Sequence, residues 1–457
     1  MSNTIKLNSK LGYFDLIMIV VSLVIGMGIF RTPVNVANEA ITPSIFFAAW
    51  IFGGIMALTG ALTFAEIGSR LPVSGGYFRI FSQCYHPAFA FMLNGTILIS
   101  NAASVAGVAL IGAEYICDAT VQILNLSPIE NLTEAHITIA AVEIILFLGL
   151  NLLGLKTSAT TQNILTVFKL TVVAILIAAV LVPVEAAPAI INTLETPHTY
   201  IDYLKSFGLC LIPIAFTYGG YQQTINFGGD ISNANKILPK GIISGILLVI
   251  VLYLAINYAY FKVIGFDNLK SAESIASIMA TRILGDIGSK ILTMMLIFSV
   301  LAYVNVGLMS NPRVICAMSE DGTIPPFFSR YSKRFNVPVT SLITFTGISV
   351  LTLFFAKSFD VILNYVIFID SIGFIAAAAT LFILRKRENP GRENIYKMKF
   401  YPWIPLIFIL SYAFVTYSVI SASIDKDQGR SVLYGLCFFI GFLPLYLLFI
   451  FLKKRSR

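Results

Sequence analysis

The chain has 457 residues, of which 57% are hydrophobic and 12% are charged, and its formal net charge is +8. A soluble globular domain carries about 25% charged residues, so this composition excludes a soluble fold and makes lipid the solvent for most of the chain. The basic residues lie in short loops without interleaved aromatic residues, so the positive charge does not indicate nucleic-acid binding.

Apolar segments of span length follow one another along the whole chain. A membrane-spanning helix needs about 20 apolar residues. This predicts an all-α membrane protein with 12 transmembrane helices, numbered here as spans in chain order. We place them near residues 13–39, 43–67, 88–115, 137–154, 159–183, 204–229, 240–264, 287–317, 338–356, 359–385, 402–423 and 431–452.

The loop charges predict which side each loop occupies. An even number of spans places both termini on one side of the membrane. The loops on that side carry roughly twice as many lysines and arginines as the other loops, and basic short loops stay in the cytoplasm. We therefore expect a multi-pass protein of the plasma membrane with cytoplasmic N- and C-termini.

Glycines interrupt spans 1 and 6 at corresponding places. Glycine lets the backbone leave helical geometry, and an unwound segment survives in a bilayer only where it lines a cavity or is buried in protein. The alternative is that these glycines are close helix–helix contacts. The residues at the two breaks, which we predict to bind substrate, are Ile25, Gly26, Met27, Gly28 and Ile29 in span 1 and Phe216, Thr217, Tyr218, Gly219 and Gly220 in span 6.

The two breaks are five spans apart, which is the pattern of an inverted repeat. We expect a single transmembrane domain over residues 1–457. Residues 13–183 would form the first five-helix repeat, residues 204–385 the second, and residues 402–452 two additional helices.

Charged side chains also occur inside predicted spans. Lys169 lies in span 5, Asp370 in span 10 and Glu143 in span 4. A charge at this depth costs about 2.5–3.5 kcal/mol on insertion scales unless it faces the protein interior. For Lys169 the alternative is snorkelling to the membrane surface. Asp370 is either a structural hydrogen-bonded carboxylate or part of a transport pathway, and Glu143 has no assigned role.

Several motifs follow one another along the chain: VIGMGIFRTP at 24–33, AEIGSRLPVSGGY at 65–77, the spacing of 218–239, PRVICAMSEDGTIP at 312–325, Asn364-Tyr365 with Asp370, and GFLP at 441–444. In this order they resemble the motifs of the amino acid–polyamine–organocation transporters, and the last two resemble the L-type amino acid transporter branch in particular. The chain departs from the family pattern in two places. Met27 replaces a serine, and Gly229 precedes Asp230 where the family has paired acidic residues.

The resemblance implies a leucine-transporter-type fold, a 5+5 inverted repeat with broken helices 1 and 6. It implies that the breaks hold an amino acid, with Phe216 capping it from outside and Asn305 lining the cavity. Lys169 matches the lysine that stands in for a sodium ion in sodium-independent members. The residues expected to act in gating or coupling are Lys169, Phe216 and Asp370.

We therefore predict a secondary active transporter (permease) of neutral amino acids that works by alternating access. Sodium-independent exchange and proton coupling both remain open. Met27 takes space beside the substrate and favours small or medium side chains. The alternatives are a sodium-coupled symporter, a channel or an integral-membrane enzyme.

The remaining predictions are absences. We expect no catalytic residues, because the acidic residues are scattered and the three histidines lack metal-ligand spacing. We also expect no metal site, no cofactor and, without a Walker motif, no ATP. The expected partners are an amino-acid substrate and the lipid bilayer, and no accessory subunit is indicated.

Overall fold

The computed structural model describes residues 11–26, 28–124, 132–181, 199–272, 275–332, 334–335, 337–355, 359–387, 395–425 and 430–455. Over these residues the chain is helical and has no β-strand beyond isolated bridges. The α-helices are α1 (Tyr13–Val24), α2 (Gly28–Glu39), α3 (Pro43–Arg70), α4 (Gly76–Cys84), α5 (Pro87–Leu124), α6 (Leu132–Leu152), α7 (Leu155–Ala178), α8 (Tyr200–Thr217), α9 (Ala234–Ile264), α10 (Phe266–Lys270), α11 (Ile275–Glu320), α12 (Val339–Phe355), α13 (Phe359–Lys386), α14 (Trp403–Asp425) and α15 (Arg430–Arg455).

Nine described segments are long and apolar enough to cross a membrane. They are Tyr13–Glu39, Pro43–Arg70, Pro87–Val121, Thr133–Leu152, Leu155–Leu181, Ala234–Ile264, Met294–Glu320, Phe368–Lys386 and Trp403–Ala422. Each overlaps a predicted span, so the all-helical membrane class is confirmed. Segments at predicted spans 6, 9 and 12 fall outside this set. α8 carries Asp202 and Lys205 near its start, α12 has 17 residues, and the apolar stretch in α15 is short.

The helices around the two breaks form the centre of the bundle. α1 packs against α7 and α9, and α2 packs against α8. α5 packs against α11, α12 and α13. In lipid, a helix satisfies its backbone hydrogen bonds within itself, so departures from helical geometry require partners in the protein. Both interruptions lie in this buried centre, where neighbouring helices supply such partners.

The first interruption separates α1 from α2. Ile25 takes φ −77° and ψ 80°, which ends α1. The Ile25 N–H still donates to the Val21 carbonyl at 2.7 Å, and the Gly26 N–H donates to the Val24 carbonyl at 2.8 Å. Helix α2 then begins at Gly28, so its first N–H groups point back toward the break.

The second interruption follows α8. The helix ends at Thr217, and two short 3-10 helices, Tyr221–Asn226 and Gly228–Asp230, follow before α9. The Gly219 N–H donates to the Phe216 carbonyl at 3.0 Å. The predicted span 6 (204–229) therefore consists of an α-helix and a tighter, irregular second half.

Candidate functional site

The two breaks touch each other, and glycine makes that contact possible. Gly220 has φ +107°, and a Cβ atom there would lie 2.3 Å from the Leu23 carbonyl oxygen. A Cβ atom at Gly28 would lie 2.9 Å from Thr217 Oγ1 and 3.3 Å from Thr217 Cα. No larger residue fits at either position unless the two segments separate.

A cavity with an empty volume of about 660 Å³ opens at this contact. It is bounded by both breaks and by α5, α11, α13 and α14. The lining residues are Leu23, Val24, Gly26, Gly28, Asn101, Ser104, Val108, Ala215, Phe216, Thr217, Gly219, Gly220, Gln222, Gln223, Tyr303, Asp370, Ser371, Phe374 and Tyr412.

The structure places seven of the predicted site residues on this lining: Gly26, Gly28, Phe216, Thr217, Gly219, Gly220 and Asp370. Phe216 is only partly buried. The glycines leave main-chain N–H and C=O groups close to the cavity. An α-amino acid carries the complementary pair, a carboxylate and an ammonium group.

Three predicted residues lie elsewhere. Ile25 and Ile29 are buried and do not line the cavity. Tyr218 is buried beside Trp50 and Tyr253, with ring centroids 6.0 Å and 4.9 Å away. Met27 lies outside the described residues, so the structure gives no position for the side chain that was expected to narrow the pocket.

Asn305 also lies away from the cavity lining. Its Nδ2 donates to Gln162 Oε1 at 2.7 Å, and its Oδ1 accepts from Asn151 Nδ2 at 2.9 Å. Asn305 is fully buried. Its amide therefore joins α11 to α6 and α7, and its expected place beside the substrate stays a prediction.

Lys169 is fully buried on α7 and reaches the first break. Its Nζ donates to the main-chain carbonyl of Ile25, the residue that directly follows α1. One turn earlier on α7, the Thr166 hydroxyl lies 2.7 Å from the Ser22 hydroxyl. Span 5 thus contacts the end of α1 at two places, through Thr166 and through Lys169. The group that Lys169 binds is the main-chain carbonyl at the break.

Sequence reasoning missed Tyr253, which joins both breaks. Its hydroxyl group donates to the Val24 carbonyl oxygen at 2.9 Å and to the Thr217 carbonyl oxygen at 3.1 Å. These carbonyls belong to the last residues of α1 and α8. A single tyrosine in an apolar run gives no sign of this role, although a buried tyrosine hydroxyl generally requires a partner.

Seven polar cavity residues were missed for the same reason: Asn101 and Ser104 on α5, Gln222 and Gln223 after the second break, Tyr303 on α11, Ser371 on α13 and Tyr412 on α14. The Tyr303 ring covers the first break, because a Cβ atom at Gly26 would lie 3.4 Å from its Cδ2 atom. Scattered amides and hydroxyls in apolar helices carry no periodic signal. Only the packing shows that they face one space.

Ion pairs close the predicted inner side. Glu66 is fully buried and accepts from the Arg385 Nη2 atom at 2.6 Å and from the Arg70 Nη2 atom at 2.7 Å. Asp230 accepts from the Arg313 Nε atom at 2.6 Å. The Glu66–Arg385 pair joins α3 to α13, and the Asp230–Arg313 pair joins the segment after the second break to α11. Over the described ranges, no three His, Cys, Asp or Glu side chains come together as they would around a metal ion.

Comparison with known proteins identifies the family. Residues 11–443 match the family model described as "Amino acid permease". The chain is 26% identical to the serine/threonine exchanger of Bacillus subtilis (strain 168) over 438 residues, which cover 94% of this chain and 95% of that protein. It is 27% identical to the mouse (Mus musculus) b(0,+)-type amino acid transporter 1, covering 98% of this chain and 90% of the relative.

The human (Homo sapiens) cystine/glutamate transporter is 24% identical, over 99% of this chain and 87% of its own length. These relatives span nearly the same length as the chain. The resemblance drawn from the motifs is thereby confirmed. With two interrupted helices around one central cavity and a family match over almost its entire length, the chain belongs to the amino acid permease family.

Proposed function

We propose that this protein exchanges amino acids across the plasma membrane by alternating access, without sodium. The observation that carries the proposal is the contact between the Lys169 ammonium group and the Ile25 carbonyl at the first break. A positive charge built into the protein occupies the place beside the unwound segment. An exogenous cation is then not needed there to stabilise the freed carbonyl.

The ends of the helices supply complementary partners for an amino acid. Gly28 begins α2, and a helix N-terminus favours a carboxylate. Thr217 ends α8, and a helix C-terminus favours an ammonium group. We propose that the backbone near Gly26 and Gly28 binds the α-carboxylate and that carbonyls near Phe216 and Thr217 take the α-amino group. We include the Met27 main chain in the proposed carboxylate site, because Met27 lies between Gly26 and Gly28 in the sequence.

The proposed architecture has twelve spans and an inverted repeat. Residues 13–183 form the first five-helix unit, residues 204–385 the second, and residues 402–452 two further helices. The equivalent positions of the breaks, each in the first span of its unit, support this division. The basic loops support cytoplasmic termini. Phe216 lines the cavity, which fits its proposed role as the outer cap of the substrate.

Sodium symport is the main alternative, and electrostatics argue against it. At an effective dielectric constant near 20, two unit charges about 4 Å apart repel by about 4 kcal/mol. That energy corresponds to roughly a thousandfold loss of ion affinity. A protonated Lys169 and a sodium ion therefore exclude each other at this position. Proton-coupled transport remains compatible with Lys169 if the amine releases its proton during the cycle.

The test is uptake of a panel of labelled amino acids into proteoliposomes that contain the purified chain. We expect equal uptake in sodium and choline buffers and a strong requirement for internal amino acid. Uptake that stops in choline contradicts sodium independence. Uptake that follows an inward proton gradient and ignores internal substrate replaces exchange with proton symport. The prediction of neutral substrates stays a prediction, which the same panel tests.

Lys169→Ala tests the residue on which the proposal rests. We expect the loss of uptake, because the Ile25 carbonyl loses its charged donor and span 5 loses its hold on the break. The matched control is Lys156→Ala, which removes an exposed lysine from the same helix. Normal uptake by Lys169→Ala, or an equal loss in the control, contradicts the proposal.

A further inference from the structure

Asp370 has no role in the binding scheme above, yet it lines the cavity. Among the described residues on that lining, it is the one aspartate, glutamate, lysine, arginine or histidine. Its Oδ1 accepts a hydrogen bond from the Ser100 hydroxyl at 3.3 Å, which is long for an O–H···O bond. No basic side chain in the described part of the chain forms an ion pair with it.

Asp370 and Tyr303 line the cavity together with Gly26 of the first break. Tyr303 packs on Gly26 through one edge of its ring. The binding scheme above places the α-carboxylate and α-amino groups of a substrate at the two breaks, so the part of the substrate left to meet Asp370 is its side chain.

Behind Asp370 lies a second, more enclosed space, which we call the recess. Its empty volume is about 320 Å³, and Asp370 borders it as well as the main cavity. Its other polar lining residues are Tyr77 and the amide residues Asn94, Asn101, Gln222, Gln223, Asn226 and Asn311. Asp370 is the one carboxylate among the described residues that border both spaces.

Three of these amides form a closed ring of hydrogen bonds. Asn101 Nδ2 donates to Asn311 Oδ1 at 2.7 Å, and Asn311 Nδ2 donates to Gln223 Oε1 at 3.4 Å. Gln223 Nε2 closes the ring by donating to Asn101 Oδ1 at 3.2 Å. Each of the three amides therefore donates one N–H group to another side chain of the ring.

Asn94 gives the recess a hydrogen-bond acceptor that has no donor. Its side chain is 1% exposed, and its Nδ2 donates to the Ala90 carbonyl at 2.8 Å. Its Oδ1 is buried and has no hydrogen-bond partner. A buried acceptor without a donor is unfavourable, as is an uncompensated carboxylate. Asp370 has no ion-pair partner among the described residues, and Asn94 Oδ1 has no hydrogen-bond donor. The site can therefore accept a hydrogen bond from a substrate, most favourably from a positively charged group.

We propose that Asp370 selects substrates whose side chains end in a positively charged donor, an ammonium or guanidinium group. This inference rests on the proposed exchange function, because it places the α-groups of the same substrate at the two breaks, and it replaces the sequence-based expectation of neutral substrates with small or medium side chains. An aliphatic side chain leaves the acceptors unpaired, and a site built to bond a donor discriminates strongly against a substrate that lacks one. An acidic side chain is repelled by Asp370.

The test compares pairs of substrates that match in length and differ in charge. Lysine is compared with norleucine, and arginine with citrulline, as competitors and as labelled substrates in proteoliposomes. For the unmodified chain we expect lysine and arginine to bind at least about tenfold more tightly than their neutral partners, since a charge-assisted hydrogen bond is the stronger kind. Asp370→Asn is expected to remove this ratio, measured as lysine binding relative to norleucine binding in the same preparation.

Two further variants separate the charge from the fold. Asp370→Glu keeps the carboxylate, and we expect it to retain a preference for lysine over norleucine even if its rates fall. Asp267→Asn removes a partly exposed carboxylate of α10, outside the cavity, and is expected to leave the ratio unchanged. Should Asp370→Asn fail to fold, a preference for lysine that persists in Asp370→Glu supports the proposal, and its loss there opposes it.

Other outcomes overturn the inference and are distinguishable from failure of the proposed function. Equal affinity for lysine and norleucine, or an unchanged ratio in Asp370→Asn, shows that Asp370 does not select the side chain. Norleucine uptake that requires sodium or potassium, with the requirement abolished in Asp370→Asn, shows that the recess holds a free cation instead. If no amino acid of any class is taken up, the proposed function itself fails.

Discussion

Gly220→Ala tests whether contact between the two breaks is required for transport. In the structure, a Cβ atom at position 220 would lie 2.3 Å from the Leu23 carbonyl oxygen and 2.8 Å from the Leu23 carbonyl carbon. Carbon–oxygen contacts of this kind settle at about 3.3 Å or more. The two segments must therefore separate by about 1 Å or hold a strained backbone at φ +107°.

The expected cost follows from that geometry. A non-glycine residue held in such a backbone region costs about 1–3 kcal/mol, which corresponds to about a 5- to 150-fold shift away from the closed arrangement. We expect the apparent affinity for substrate to weaken by a factor in that range. The chain should still fold, because the surrounding helices keep their packing.

The assay is concentration-dependent uptake in proteoliposomes, with size-exclusion chromatography and thermal unfolding as checks on folding. Gly149→Ala is the matched control, because a Cβ atom at this helical position meets nothing within 4 Å and alanine favours a helix over glycine. Gly220→Ala with normal affinity and rate would refute the reasoning. Equal impairment of both variants would show that the effect is not specific to the break.

Two other substitutions test contacts that hold the site together. Tyr253→Phe removes the donor shared by the last carbonyls of α1 and α8, and we expect a loss of about 0.5–1.5 kcal/mol in stability, measured as a lower Tm, with weaker substrate binding. Tyr258→Phe, at an exposed position of the same helix, is expected to change neither. Glu66→Gln leaves two arginines without their carboxylate, and breaking a buried ion pair costs about 3–5 kcal/mol. We expect a clear fall in Tm for Glu66→Gln, whereas Glu320→Gln, which alters an exposed pair, should have little effect.

Much of the fold could be predicted because the membrane simplifies the problem. Apolar segments of about 20 residues have to be helices in lipid, and the nine long apolar segments of the structure fall on predicted spans. Glycines in the middle of such segments are informative because they allow a break that few other residues allow. The breaks at Gly26 and Gly28 and at Gly219 and Gly220 were therefore visible in the sequence.

The site was less predictable, because side-chain direction depends on how helices rotate against one another. Asn305 was expected beside the substrate, yet its face of α11 turns toward α6 and α7, where Asn151 and Gln162 satisfy its amide. Tyr253 was not singled out, although it contacts both breaks. Lys169 and Asp370 were noticed because a charge inside a span is costly. Their partners could not be derived from the sequence.

The sequence alone determined that the chain is a helical membrane protein, where its helices are interrupted, and which charged residues must be protected from lipid. Those properties follow from the free-energy cost of placing polar groups in hydrocarbon. That cost applies to each segment independently of its neighbours. Only the tertiary structure decided that both breaks and Asp370 border one cavity, and that the amides of α5 and α11 form a ring with Gln223. Such convergence depends on the packing of helices distant in sequence, which no local pattern encodes.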